Sequence, residues 1–162
     1  MHPLAILQSL VLLAVANGTP VVAKKVLGRR FAWPLDGGAT FFDRRPMLGS
    51  SKTVRGIVLS ILCTTASAPL VGLDARIGAL MAVTAMAGDL FSSFLKRRMG
   101  RPPSSRAPGL DQVPESLIPL LACRGVLSLA AADIALGVGI FWLGEILLSH
   151  LLYKAHLRDE PY

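Results

Sequence analysis

Long apolar runs, each close to the length that crosses a bilayer and separated by blocks rich in lysine and arginine, constrain this chain most. Spanning the hydrocarbon core as a helix takes about 20 mostly apolar residues. Leu4 to about Ala23, Ile57 to Leu73 and Ile77 to Leu95 are three such segments. Val113 to Tyr153 supplies 41 more residues, enough for two spans if the turn falls between Arg124 and Asp133. With 52% hydrophobic and 17% charged residues and a mean hydropathy of +0.55, the 162 residues are too apolar for an ordinary soluble domain. The expected fold is an all-α integral membrane protein with about five transmembrane helices, forming a single domain over residues 1–162.

The positive charges set the expected orientation. Of 17 Lys and Arg residues, eight lie between residues 24 and 55, five between 96 and 106, and Lys154 and Arg158 in the tail. The positive-inside bias places both long polar loops and the C-terminus in the cytoplasm and the N-terminus outside. Five spans satisfy this arrangement and four do not. Ala14-Val15-Ala16 resembles a signal-peptidase site, but no basic residue precedes the run, and Lys24-Lys25 follows it as the inner flank of a retained span. A net charge of +7 gathered on one face suits anionic lipid headgroups, nucleotide phosphates or both. Nucleic acid is a poorer partner, since no recognition module is visible. Cys63 and Cys123 sit in apolar runs as small hydrophobes, and His2, His150 and His156 lack the spacing of a zinc site.

Three polar stretches carry the chemistry. Gly88 to Arg98, GDLFSSFLKRR, places Asp89 and a Lys96-Arg97-Arg98 cluster at the end of an apolar segment. On a helix, Asp89, Ser93 and Lys96 share a face with Arg97 beside them. An intramembrane acid is costly. Read alone, the stretch is either half of a metal and phosphate site or a basic stop with Asp89 as its ion-pair partner. The first loop ends in Leu48-Gly49-Ser50-Ser51-Lys52-Thr53-Val54-Arg55-Gly56, a turn whose amides, hydroxyl and cations converge at a helix start. That pattern suits phosphate without being a Walker loop, and it also reads as a solvated turn with a basic flank. The second loop, Gly100 to Gly109, is rich in Pro, Gly and Ser and leads to Asp111 at the mouth of the next span, where it shares a cation with Asp89 if the two helix ends meet.

Asn17-Gly18-Thr19-Pro20, the Pro-x-Asp-x-Gly and Asp-x-Arg elements of the first loop, Gly49 to Gly56, GDLFSSFLKRR, Leu110-Asp111-Gln112 and the tail from His150 to Tyr162 together resemble the CDP-archaeol synthase family. These membrane cytidylyltransferases are similar to CDP-diacylglycerol synthases, and the likeness covers nearly the whole chain. It implies that the phosphate of a lipid phosphomonoester, either an ether-lipid phosphate or phosphatidic acid, attacks the α-phosphorus of CTP. Pyrophosphate leaves and a CDP-lipid forms. The implied cofactor is Mg2+, held by Asp89 and Asp111, and the implied catalytic set is Asp89, Lys96, Asp111 and Lys52. Lys52, Arg55, Lys96, Arg97 and Arg98 are assigned to phosphate. Asn17, Asp36, Asp43, Thr53, Ser93 and Gln112 complete the substrate-binding shell. The site is expected to face the cytoplasm from the cell (inner) membrane, with a homo-oligomer plausible through glycines such as Gly137 and Gly139.

One departure from the family pattern stands out. Where Leu-Asp-Gln-x-Asp is usual, position 114 is proline and Glu115 follows it. Proline removes a ligand and restricts its neighbour, so Glu115 substitutes only if the helix start is reshaped. This departure lends weight to an alternative, a non-catalytic membrane protein that binds anionic lipid or a partner through its basic face. A CDP-alcohol phosphotransferase is disfavoured because Thr40 and Phe41 break the motif begun at Asp36-Gly37-Gly38-Ala39. A transporter rests only on Asp133, which a turn explains.

Overall fold

A computed structural model describes residues 1–105 and 107–154, with side chains described as far as residue 147. Residues 106 and 155–162, with most of the tail motif and Arg158, lie outside the described residues, as do the side chains of residues 148–154. Five α-helices follow in order: α1 Pro3–Leu27, α2 Val54–Ser67, α3 Ala75–Arg98, α4 Gln112–Ala122 and α5 Ala131–Lys154, with a 3-10 turn at Pro69–Val71 after α2. Among the described residues the only pairings of strand type are isolated bridges, Pro34 with Thr53 and Thr40 with Pro46.

Each helix start is legible in its local chemistry. Pro3 occupies the first turn of α1, where a missing N–H costs nothing. Thr53 caps α2 by accepting from the Gly56 amide, and Asp74 caps α3 by accepting from the Arg76 amide at 2.7 Å. Lys96, Arg97 and Arg98 close the last turn of α3, where the helix dipole favours cations.

Among the described residues, three helical segments are long and apolar enough to cross a membrane: Pro3–Leu27, Val54–Val71 and Ala75–Arg98. Leu4, Leu7, Val58, Leu62, Val83 and Phe91 point outward from them, while Leu12, Leu13, Met81, Ala85 and Met86 form the interior with Leu120 and Phe141 of α4 and α5. An apolar exterior around an apolar core is the arrangement of a protein whose solvent is lipid. α4 has only 11 residues, about 16 Å of helix. The stretch expected to hold two spans therefore holds a short helix and the 24-residue α5. The chain turns between them at residues 123–130, closed by the Arg124 side chain donating to the Leu129 carbonyl.

In a low-dielectric interior every freed backbone group needs a partner. Pro20 inside α1 has no N–H for the Ala16 carbonyl, and Ser60 Oγ of α2 donates to that carbonyl at 2.7 Å. Ser9, Thr84 and Ser116 return their hydroxyls to carbonyls one turn back. The two ends of the bundle are unlike. At one end the His2 amide donates to Asp133 and Gln8 donates to the Val71 carbonyl. At the other, the loops of residues 28–53 and 99–111 meet.

α3 and α4 touch most closely at Gly88. A Cβ there would stand 2.3 Å from the Pro114 carbonyl oxygen and 2.9 Å from the Glu115 nitrogen, so only glycine lets the start of α4 lie on α3. Gly88→Ala is expected to cost about 1–3 kcal/mol, lowering the thermal midpoint in detergent. Gly139→Ala, where a Cβ meets nothing within 4 Å, should leave it unchanged or slightly raised.

Candidate active site

The first loop is folded around its acids. Asp36 accepts from the amides of Gly38 at 3.0 Å, Leu48 at 2.9 Å and Gly49 at 3.1 Å, which bends residues 36–49 into a closed turn. Asp43 accepts from the Arg45 amide at 3.1 Å and pairs with Arg98. The Arg98 guanidinium lies over the rings of Phe41 and Phe94, 4.8 and 5.0 Å from their centroids, and donates to the Pro46 carbonyl. Arg45 answers by donating to the Arg98 carbonyl at 2.6 Å. The loop is thus latched to the end of α3. Its last residues run back beside the start of the same loop, Leu35 donating to the Lys52 carbonyl at 2.8 Å.

This fold returns Lys52 to Asp89. Lys52 Nζ lies 2.5 Å from both carboxylate oxygens. Asp89 sits about 13 Å along α3 from its Arg98 end. Ser92, rather than Ser93, donates to the Asp89 carbonyl, at 3.0 Å, while Ser93 is buried. Lys96, expected to share a face with Asp89, instead pairs with Asp111 at 2.6 Å and donates to the Ser105 carbonyl at 3.0 Å. The other Asp111 oxygen accepts from the Ala107 amide, and Gln112 accepts from the Gly109 amide, so both order the approach to α4.

Next to Lys96 in the last turn of α3 stands Arg97. It is 3% exposed, its Nη2 reaches Ser105 Oγ at only 3.4 Å, and its Nε and Nη1 have no hydrogen-bond partner. Gly49, at φ +91, brings loop backbone against it; a Cβ there would stand 3.6 Å from Arg97 Nη1 and 3.2 Å from Pro103.

A cavity of about 330 Å³ opens beside this layer, lined by Pro20, Lys24, Arg29, residues 50–53, Arg55, Met86 and Asp89 among others. Of the expected site residues, Lys52, Thr53, Arg55 and Asp89 line it. Thr53 and Arg55 also have structural partners: Thr53 caps α2, and Arg55 donates to the carbonyls of Gly28 and Arg30 at the end of α1. Asn17 lies deeper in α1 with its amide nitrogen buried and unpartnered. Lys24 and Arg29 join the cavity wall although the sequence presented them only as part of a basic block.

Glu115 also joins the site. Pro114 occupies the third position of α4, where its absent N–H has no helical partner, and the helix begins ahead of it at Gln112. Glu115 is thereby buried beside Asp89, with Glu145 of α5 nearby.

Residues 4–162 match the family model for CarS-like CDP-archaeol synthases. The chain belongs to the CDP-archaeol synthase family. This is a family of CTP-dependent nucleotidyltransferases. The chain is 38% identical over 142 residues to the CDP-archaeol synthase of Methanosphaerula palustris, covering 75% of this chain and 80% of that one. It is 35% identical to that of Aeropyrum pernix, covering 97% and 92%. A solved structure described as an intramembrane enzyme for archaeal membrane-lipid biosynthesis superposes with a TM-score of 0.70 at 26% identity, over 90% of this chain and 92% of that one. As in that enzyme, the chemistry here belongs to an integral membrane protein.

Within this member of the CDP-archaeol synthase family, Asp36 gives the loop a pH dependence. Burial works to raise its pKa, but the Leu48, Gly38 and Gly49 amides together outweigh burial and hold the carboxyl below 3.8, its ordinary value. A depressed folded pKa means stability that is present above pH 3.8 and lost as pH falls through the folded value. Limited proteolysis of residues 36–49 should accelerate as pH drops below that ordinary value. Asp36→Asn should show the faster cleavage already at neutral pH.

Proposed function

We propose that the whole chain, residues 1–162, acts as one transmembrane domain that transfers the cytidylyl group of CTP to a lipid phosphomonoester. The observation that carries this reading is Arg97. A buried guanidinium with two unpartnered nitrogens calls for an anion, and it stands in a layer where Lys52 and Lys96 are each held by a carboxylate. A triphosphate entering that layer draws Lys52, Lys96 and Arg97 onto its oxygens and leaves Asp89 and Asp111 without their lysines. Planar Arg97 suits a bidentate phosphate contact, and the Gly49 turn lets phosphate approach the backbone.

The residues freed in this way fit a divalent cation. Asp89 and Glu115 place two carboxyl groups in contact, which is unfavourable in an apolar interior unless positive charge joins them. Magnesium takes one or two carboxylates and completes its shell with water and substrate phosphates. Among the described residues no three His, Cys, Asp or Glu side chains gather around one point, so the protein's own ligands to such an ion number at most two. On this reading Asp89 and Glu115 would hold magnesium, and the ion, when bound, would neutralise phosphate charge. The protein's own part is alignment. The lipid phosphate oxygen bonds to the α-phosphorus as the bond to the departing pyrophosphate breaks, while the cationic layer compensates the charge that accumulates.

The relatives are named for archaeol, so an ether-lipid phosphate is the favoured acceptor and phosphatidic acid the second. The basic loops favour the cytoplasmic side of the cell membrane for the site, with the N-terminus outside. Copies of the chain associating through α5 are compatible with this reading but not required by it.

Protein purified in detergent should release pyrophosphate from CTP only with a lipid phosphate and Mg2+ present. Asp89→Asn is expected to lower kcat by about a hundredfold or more, and Arg97→Gln to raise the KM for CTP about tenfold or more. Glu115→Gln should weaken Mn2+ binding, read by electron paramagnetic resonance, as well as turnover. Turnover of wild-type rate in Asp89→Asn would refute the assignment. A protein that binds anionic lipid but shows neither turnover nor protection of its loops from protease by CTP over ATP would be the non-catalytic alternative.

A further inference from the structure

The turn that leaves α1 presents two large rings to the outside. Phe31 and Trp33 are 63% and 68% exposed and stand edge to face with centroids 6.2 Å apart. Ala32 between them lines the cavity, whereas neither ring does. Phe31 takes a left-handed backbone conformation, φ +54, which a bulky residue rarely adopts and which brings its ring beside Trp33. This strained, exposed pair is not shaped by the packing of the bundle.

Charge surrounds the rings with one sign. Residues 24–33 contain Lys24, Lys25, Arg29 and Arg30 and no acid. Lys24 and Arg29 line the cavity, but Lys25 and Arg30 are exposed and do not. The segment begins where a 25-residue apolar helix ends, at the level where a bilayer changes from hydrocarbon to headgroup. Aromatic rings settle at that boundary, and cations there are drawn to anionic lipid.

The strap is also tied to the candidate active site. Arg55 holds the carbonyls of Gly28 and Arg30, and the Val54 amide donates to the Trp33 carbonyl at 3.0 Å. Leu35 then donates to the Lys52 carbonyl at 2.8 Å. Displacing the rings therefore moves the backbone that carries Lys52.

We propose that residues 28–33 form a foot that seats on the anionic surface of the bilayer, with Phe31 and Trp33 in the headgroup layer and Lys25 and Arg30 on lipid phosphates. Seating holds Lys52 in register with Asp89. Only this last consequence rests on the transferase reading; the docking does not.

The test uses the full chain with Trp142→Phe, which leaves Trp33 as its single tryptophan, in nanodiscs of phosphatidylcholine with or without phosphatidylglycerol. Lipids brominated near the headgroup should quench Trp33, and acrylamide quenching should fall severalfold when phosphatidylglycerol is present. Lys25→Gln with Arg30→Gln should abolish the part that depends on phosphatidylglycerol. Acrylamide quenching that is equal in both nanodiscs, with no effect of brominated lipid, would overturn the foot, as would shielding seen only when another protein is bound. Cytidylyl transfer is measured in the same samples. Lipid-dependent quenching without turnover counts against the transferase reading alone, and turnover with a fully water-exposed Trp33 counts against the foot alone.

Discussion

A carboxylate within an apolar helix bundle has to be met by a cation, and the pairing of Asp89 with Lys52 organises much of this molecule. Leaving one member of such a pair alone costs about 2–5 kcal/mol; side chains about a fifth exposed, as here, belong at the lower end. Lys52 does not come from a neighbouring helix. It comes from the end of a loop of some 25 residues that leaves α1, folds on itself and returns. Asp36 and Asp43, which look like ligands in a line of sequence, are the means of that return: one gathers three amides and the other anchors Arg98.

The same logic distributes the other charges. Lys96 is paired with Asp111, Arg98 with Asp43, and Arg55 with the carbonyls that end α1. Arg97 is left buried with nitrogens unpartnered. A layer in which Lys52, Lys96, Arg98 and Arg55 have internal partners while Arg97 keeps two buried nitrogens unpartnered suits an external anion. On the proposed reading, the ion pairs keep the site folded without substrate, and exchange of lysine partners from carboxylate to phosphate would free acids for a metal.

Much of this was legible in the residues. The apolar runs and their basic borders mark α1, α2 and α3 to within a few positions, and the short motifs resemble the family that the comparisons establish. Less legible was the role of each polar side chain. Thr53 and Gln112 carry the right chemistry for a substrate shell, yet their oxygens serve the backbone at two helix starts. Ser92 and Ser93 are indistinguishable by type and both lie within one turn of the Asp89 carbonyl, and the side-chain rotamer decides which hydroxyl reaches it. Pro114 looked like a lost ligand. Placed in the first turn of α4 and against Gly88, it instead carries Glu115 to Asp89.

The sequence by itself determined that the chain is helical, bound to a membrane, and polar at one end, because hydropathy and charge act locally and need no knowledge of neighbours. Tertiary structure decided which lysine meets which acid, that Arg97 is buried with two nitrogens unpartnered, and that Phe31 and Trp33 face outward on a strap tied to Lys52. Those outcomes depend on the close approach of α3 and α4 at Gly88 and on the path of a loop whose two ends hydrogen-bond side by side. Pairings between distant residues follow from distances in space, and distances in space follow from packing.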